Sequence, residues 1–419
     1  MQNSNVKTRL IVLSFLQFAV WGAYLTSMGR YLGNAGMGSD IGWFYSVQGI
    51  VSIFMPALIG IIADRWVPAQ RMLSFCHAVA AVFMGITGYI GMAKGAEVAF
   101  NDLFWTYTVS VAFYMPTLAL SNSVSYSVLN QAGLDTVKAF PPIRVFGTIG
   151  FIVSMWIVDL TGFQNDYSQF FASAVWGVLL AAYSLTLPNC PVDKSAEKKT
   201  LASAFGLDAF KLFGQRRMAL FFVFSMLLGA ALQVSNGYAN MFISGFGGIE
   251  KYAGTFAVEH TNMLISLSQM SETLCILLIP FFLRKFGIKI VMLIAMLGWV
   301  FRFGFFAVGD PAMPGVLLFV LSMVVYGVAF DFFNISGSLF VDQEVPENLR
   351  SSAQGLFMLM TNGLGASIGV IAAQEVVNHF TANQANFAGW STAWYIFAAY
   401  ALVIAVLFAV LFREKKTVK

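Results

Sequence analysis

Charged side chains are scarce in this sequence. Asp, Glu, Lys and Arg make up 11% of its 419 residues, where an ordinary soluble domain carries about 25%. That deficit excludes a conventional water-soluble globule. Cysteine is nearly absent too. Cys76, Cys190 and Cys275 are scattered, with neither metal-ligand spacing nor a disulfide framework, so no metal and no cofactor is expected. His77, His260 and His379 do not cluster, and each falls near the end of an apolar run, as interfacial histidines do. There is no glycine-rich loop followed by Lys-Ser/Thr and no HExxH. ATP-driven and metalloprotease chemistry therefore have no foothold, and no enzymatic activity is expected. The net charge of +4 does not point to nucleic acid, because the basic residues sit where they serve topology.

What is present is hydrophobic: 58% of residues are apolar or aromatic and the mean hydropathy is +0.74. The apolar runs are about 20 residues long, enough to cross roughly 30 Å of hydrocarbon as helix. They lack the ten-residue alternation of an outer-membrane barrel. The first run follows Lys7 and Arg9 but is too long for a signal peptide and has no small-residue cleavage pattern. Twelve spans are expected, at about 9–31, 41–63, 72–93, 103–126, 141–162, 167–188, 218–246, 260–283, 288–308, 314–341, 351–376 and 388–412. An even count puts both termini on one side. Basic residues crowd that side, among them Arg65, Arg71, Lys198, Arg217, Arg284 and Lys415, whereas Arg30, Lys94 and Lys251 fall on the other. The asymmetry places both termini in the cytoplasm.

The longest interior polar stretch, Asn189 to Arg217, divides the spans six and six. Its part from Leu201 to Leu212 has apolar residues at helical spacing and reads as a helix along the membrane surface. The expected domains are thus a six-helix half over 1–188, a cytoplasmic linker over 189–217 and a second six-helix half over 218–419. Two parallel six-helix repeats with a solute at their interface is the layout of the major facilitator fold. The predicted fold class is an all-α integral membrane protein of twelve transmembrane helices in two pseudo-symmetric halves. Gly60 to Arg65, with Arg71 following, resembles that superfamily's GxxxD(R/K) loop signature. The counterpart at Arg284 to Gly287 is degraded, and Val345-Pro346 through Arg350 to Gly355 resembles another recurring loop. Asp64, Arg65 and Arg71 are read as a conformational gate, with Asp64 capping a helix end, and not as substrate contacts. The 37 glycines are read first as close helix packing.

The spans carry polar residues in pairs at one-face spacing. Arg144, Thr148 and Phe151 form a stripe in span five, where Pro141 and Pro142 suit a first helical turn. Gln233 and Asn236 share a face of span seven, where Ser235-Asn236-Gly237 invites a local break. Gln269 and Glu272 pair in span eight, and Tyr326, Phe330 and Asn334 line up in span ten beside Asp331. Gln17, Trp21 and Tyr24 lie on one face of span one. Each pair alone could be an interhelical hydrogen bond of about 0.6 kcal/mol, and for Gln17 and Asn334 that packing role is at least as good a reading. Together they describe a shared polar cavity with aromatic walls, suited to a neutral, flat, hydroxylated solute.

Asp331 stands out, because a carboxylate at a helix centre in hydrocarbon costs roughly 2.5 to 3.5 kcal/mol. It could merely pair helices, or it could serve a solute or proton site. Arg144, Glu272 and Asp331 sum to one positive and two negative charges. One carboxylate can pair with Arg144, and a proton neutralises the other most cheaply. Arg302, in the outer half of span nine, is expected to pair with Asp310 or another carboxylate; if it reaches Glu272, the spare negative charge disappears.

Segments FPPIRVFGTIGF (140–151), SMLLGAALQVSN (225–236), SQMSETL (268–274), VYGVAFDFFNISGS (325–338) and SAQGLFMLMTNG (352–363) resemble the nucleoside:proton symporter family of the major facilitator superfamily. The resemblance covers nearly the whole chain. It implies proton-coupled nucleoside uptake (uridine or adenosine, for instance) by alternating access across a bacterial-type inner membrane, in a lipid bilayer, by a chain that works as a monomer. It also implies a nucleoside site at Arg144, Thr148, Phe151, Gln233, Asn236, Gln269, Glu272, Tyr326 and Phe330. Asp331, Glu272 and Arg144 are the candidates for proton coupling. The outer loop from Gly247 to Thr261 diverges more from the family. A facilitator of a sugar or other polyol shares this cavity chemistry, and a receptor or scaffold that moves nothing is the alternative of another class.

Overall fold

A computed structural model of the chain describes residues 3–192, 207–382 and 387–413. Among the described residues all regular structure is helical. That follows from the composition, because helices satisfy their backbone hydrogen bonds internally and hydrocarbon offers no other partners. Nine helices among the described residues are long and apolar enough to cross a membrane. The chain divides into two compact units, Met1–Lys198 and Lys199–Lys419.

The first unit holds α1 (Asn3–Gly22), α2 (Met28–Asn34), α3 (Ile41–Arg65), α4 (Ala69–Lys94), α5 (Phe100–Gln131), α6 (Thr136–Leu160) and α7 (Ser168–Ser184). Its core includes Leu10, Leu13, Leu73, Tyr114, Val124 and Leu180. The first apolar run is not one helix. It turns over Ala23–Ser27, where the Met28 amide still donates to the Tyr24 carbonyl (2.8 Å) and Ser27 Oγ donates to Gln169 Oε1 (2.9 Å). Helix α6 begins at Thr136, ahead of the expected start, so Pro141 and Pro142 lie inside the helix and not in its first turn. Gly150 explains how α6 meets α1: a Cβ there would land against the Phe15 carbonyl, so only glycine permits the backbones to approach so closely.

The second unit holds α8 (Arg216–Gly245), the single turn α9 (Phe256–Glu259), α10 (Thr261–Val308), α11 (Val316–Glu344), α12 (Glu347–Met358), α13 (Ala366–Thr381) and α14 (Ala388–Leu411). Helix α10 runs for 48 residues and is interrupted at Gly287, whose φ of 77° is left-handed. At 1.5 Å per residue it is about 72 Å of helix, more than twice a hydrocarbon core. A π-helical stretch, Leu359–Gly365, joins α12 to α13. The break expected at Ser235–Gly237 does not occur, and α8 is continuous there. Ser235 Oγ accepts from Arg302 (2.6 Å), so its side chain is held away from the local backbone bonds that loosen helices.

The surface helix expected over 201–212 lies outside the described residues up to position 206; its described part belongs to a 3-10 helix, Leu207–Gly214. Of the gate residues, the side chains of Asp64 and Arg65 also lie outside the description, and Arg71 is exposed in the first turn of α4. The three cysteines are free and buried.

Candidate functional site

In the first unit, the α1–α6 crossing assembles an aromatic and cationic wall. The Arg144 guanidinium sits 3.8 Å above the Phe18 ring, a cation–π contact between the two helices. Phe151 is 6% exposed and meets Trp21 edge to face at 6.4 Å. Trp21 in turn packs against Tyr114 at 5.9 Å. Arg144 and Thr148 remain half-buried on the same α6 stripe.

Gln17 belongs to packing. It is fully buried, its Nε2 donates to Thr117 Oγ1 (2.8 Å) and its backbone carbonyl accepts from the Tyr114 hydroxyl (2.8 Å). The remaining amide oxygen meets His77 Nε2 at 2.9 Å. This overturns the interfacial reading of His77, which lies within α4 at 0% exposure. The chain of bonds also fixes its tautomer. Thr117 Oγ1 donates to the Tyr114 carbonyl (2.5 Å) and so accepts from Gln17, whose Oε1 must then accept from a protonated His77 Nε2.

In the second unit the predicted polar residues lie on three helices. On α8, Asn236 Nδ2 donates to Gln233 Oε1 (3.4 Å). Gln269 and Glu272 lie one turn apart on α10, with Gln269 buried and Glu272 half-buried. On α11 the rings of Tyr326 and Phe330 are nearly parallel, 5.8 Å apart at 12°. Trp299 closes on Tyr326 edge to face at 5.9 Å. Asp331, one residue on, is 5% exposed. The close pass of α10 and α11 is again a glycine contact: a Cβ on Gly327 would sit 2.6 Å from the Ser271 carbonyl, and Ser271 Oγ donates to the Val324 carbonyl. Asn334 turns back onto its own helix, donating to the Phe330 carbonyl (2.9 Å), which is the packing role.

Arg302 departs from expectation. It is 2% exposed, and its bonds go to hydroxyls and a carbonyl, not to a carboxylate. Nε and Nη2 both donate to Ser235 Oγ (2.9 and 2.6 Å), and Nη1 donates to the Ser322 carbonyl (2.8 Å) and Ser268 Oγ (3.3 Å). Its plane covers the Tyr326 ring at 4.6 Å. Asp310 is occupied elsewhere, accepting from the Ala312 amide (2.8 Å).

The loop motifs also acquire partners. Gln354 Nε2 donates to the Ser338 carbonyl (2.7 Å) and Ser338 Oγ returns a bond to Gln354 Oε1 (3.1 Å), joining α11 to α12. Arg217 pairs with Glu344 at 2.5 Å, tying the start of α8 to the end of α11. Neither pair was singled out from the sequence, where residues this far apart carry no mutual signal. A larger cavity, about 250 Å³, is walled by apolar side chains such as Met226, Ala230, Phe303 and Ile368. It offers a hydroxylated solute few directional partners. A narrow cleft of about 20 Å³ beside Phe330, Trp299, Asn334 and Asn362 is more polar.

Comparison with known proteins supplies the decisive observation: the model of the family described as Nucleoside H+ symporter matches residues 4–417. The chain belongs to the nucleoside H+ symporter family. Its relatives include the xanthosine permease of Escherichia coli, 49% identical over 406 residues, covering 96% of this chain and 95% of the relative. The nucleoside permease NupG of Escherichia coli is 45% identical over 413 residues, 98% and 97% of the two chains. The crystal structure of nucleoside transporter NupG superposes with a TM-score of 0.89, covering 98% of this chain and all of that one. The crystal structure of a D-xylose-proton symporter, at 16% identity and TM-score 0.66, shares the fold. This symporter is therefore a multi-pass membrane transporter with the major facilitator fold, and its relatives are transporters and not enzymes.

Proposed function

We propose that this nucleoside:proton symporter binds its solute with the polar and aromatic stripes of α6, α8, α10 and α11. Tyr326 and Phe330 offer nearly parallel aromatic faces to the base, and Phe151 on α6 is proposed as a further aromatic contact. Gln233, Asn236 and Gln269 exchange hydrogen bonds with ribose hydroxyls and base edges, Glu272 accepts them, and Thr148 and Arg144 complete the polar set. The observation that carries this reading is the nearly parallel stack of Tyr326 on Phe330, with the buried Asp331 as the next residue on the helix. An aromatic face binds any base, and amides and carboxylates impose direction.

Coupling follows from charge. The Arg302 bonds go to neutral groups, so that cation is not spent on Glu272 or Asp331. A proton that travels with the solute is proposed to neutralise one of the two carboxylates, because a buried carboxylate sheds its charge most cheaply that way. Asp331 is assigned the coupling proton and Glu272 is its rival.

The same reading gives twelve spans in two pseudo-symmetric six-helix halves, joined by a cytoplasmic linker, in an inner membrane with both termini cytoplasmic. Three features support it. Helix α10 is long enough for two spans, broken at Gly287. The α1–α6 crossing at Gly150 has a counterpart in the second unit, where Gly365 lies against the Met226 carbonyl of α8. The basic residues segregate to one set of loops. Asp64, Arg65 and Arg71 are proposed as the cytoplasmic gate between alternating states, and the chain works as a monomer in the bilayer.

The test is uptake of a labelled nucleoside panel, xanthosine included because one relative is a xanthosine permease, into vesicles with and without a pH gradient. Gradient-driven uptake that excess free ribose does not compete is expected. Ribose competing as well as nucleoside would transfer the site to sugars, and uptake indifferent to the gradient would remove the proton.

A further inference from the structure

Arg302 is a buried charge that neither the solute site nor the coupling scheme uses. Taking a guanidinium out of water costs several kcal/mol, and an apolar side chain of similar volume packs helices at least as well. What arginine supplies and leucine cannot is direction, through a rigid planar fork of donors. Here the fork meets three helices at once. Two of its bonds converge on Ser235 Oγ of α8, one reaches Ser268 Oγ earlier on its own helix, α10, and one the Ser322 carbonyl of α11. Ser322 Oγ donates back to the Arg302 carbonyl (3.0 Å). Every one of these contacts adjoins a residue proposed to hold the nucleoside. Ser235 lies between Gln233 and Asn236, Ser268 precedes Gln269, and Ser322 is one turn before Tyr326. The guanidinium plane also lies on the Tyr326 ring, 4.6 Å from its centre, on a residue that stacks with Phe330.

We propose that Arg302 is a positioning residue of the nucleoside site: without touching the solute, it sets the register of α8, α10 and α11 and fixes the plane of the Tyr326 ring. The proposal rests on the assignment of Tyr326 as a binding residue. Small displacements of positioned groups weaken recognition far more than the loss of one distant contact suggests.

The experiment is a double-mutant cycle on the purified full-length transporter in lipid nanodiscs, reading nucleoside Kd by calorimetry and KM and maximal rate by counterflow. Arg302→Met is expected to weaken binding about tenfold, roughly 1.4 kcal/mol, and Ser235→Ala about threefold. Arg302→Lys, which keeps the charge and loses the fork, should restore little of the affinity. Combining Arg302→Met with Tyr326→Ala should weaken binding by clearly less than the product of the two single losses, because part of the Arg302 effect runs through that ring. Losses that multiply, or full rescue by lysine, would overturn the proposal. If Arg302→Met does not fold, Ser235→Ala carries the cycle in its place. Wild-type affinity in Tyr326→Ala would instead sink the site assignment itself, and the positioning role with it. Loss in Tyr326→Ala with wild-type affinity in Arg302→Met and Ser235→Ala would overturn the positioning role alone.

Discussion

At the residue scale, the chemistry divides between groups that meet the solute and groups that hold those groups still. Phe330 is proposed for the first set. Stacking of a base on an aromatic face is worth about 1 to 3 kcal/mol, so Phe330→Ala should weaken nucleoside binding roughly 5- to 150-fold while Phe330→Tyr changes it little; calorimetry on the purified protein checks this. Asp331 and Glu272 are separated by a different readout. Asp331→Asn is expected to abolish accumulation driven by a pH gradient yet retain nucleoside exchange, whereas Glu272→Gln should lose affinity in both assays. The reverse pattern in vesicle uptake and counterflow would move the proton to Glu272. Gln17 belongs to the second set. Gln17→Leu strips a fully buried His77 Nε2 of its acceptor and Thr117 of a donor, which should destabilise the protein by about 1 to 3 kcal/mol. A lowered melting temperature with KM unchanged in the surviving protein is the expected result.

At the scale of elements, the site exists because helices approach one another through glycine. Gly327 lets α11 lie against the Ser271 backbone of α10, which is what brings Tyr326 and Asp331 alongside Glu272. Gly327→Val adds two methyl groups and a Cβ where no space exists, an overpacking change of roughly 1 to 3 kcal/mol. It should lower the melting temperature and depress nucleoside affinity together, read by thermal shift and calorimetry on one preparation. The sequence announced these helices well, since about 20 apolar residues without charge leave few alternatives in hydrocarbon. Their interruptions were harder to read. Ser235-Asn236-Gly237 looked like a break and is continuous helix, because Arg302 engages the serine hydroxyl. The turn at Ala23–Ser27 and the π-helical stretch at Leu359–Gly365 carry no comparable signal, since both are settled by contacts with other helices.

At the scale of the whole molecule, composition and charge placement argue for a polytopic protein whose termini share the cytoplasmic side. Reporter tags fused at Met1 and Lys419 should both be protected from periplasmic labelling in intact cells and both react after permeabilisation; a tag accessible in intact cells would break the even-span topology. The stripes proposed for binding on α6, α8, α10 and α11 stand out in the sequence as helical spacing, because polar residues are rare in these spans. Arg302 is visible too, but it does not meet the carboxylate expected for it, Asp310 or another. Charge suggests a carboxylate, but geometry gives the guanidinium two hydroxyls, a carbonyl, the Met323 sulfur and the rings of Phe306 and Tyr326.

That contrast marks the boundary between the two kinds of information. The sequence by itself determined that this chain lives in a membrane as helices, since the transfer of apolar side chains and the need to satisfy backbone groups within each segment are local properties. It also determined which few polar side chains had to matter, because each is expensive in that setting. Only the tertiary structure decided whom they meet. Arg302 finds Ser235 across 67 residues of chain and His77 finds Gln17 across 60. Such pairings depend on how close two backbones come and at what angle, and that is set by packing over whole helices, not by the residues that bond.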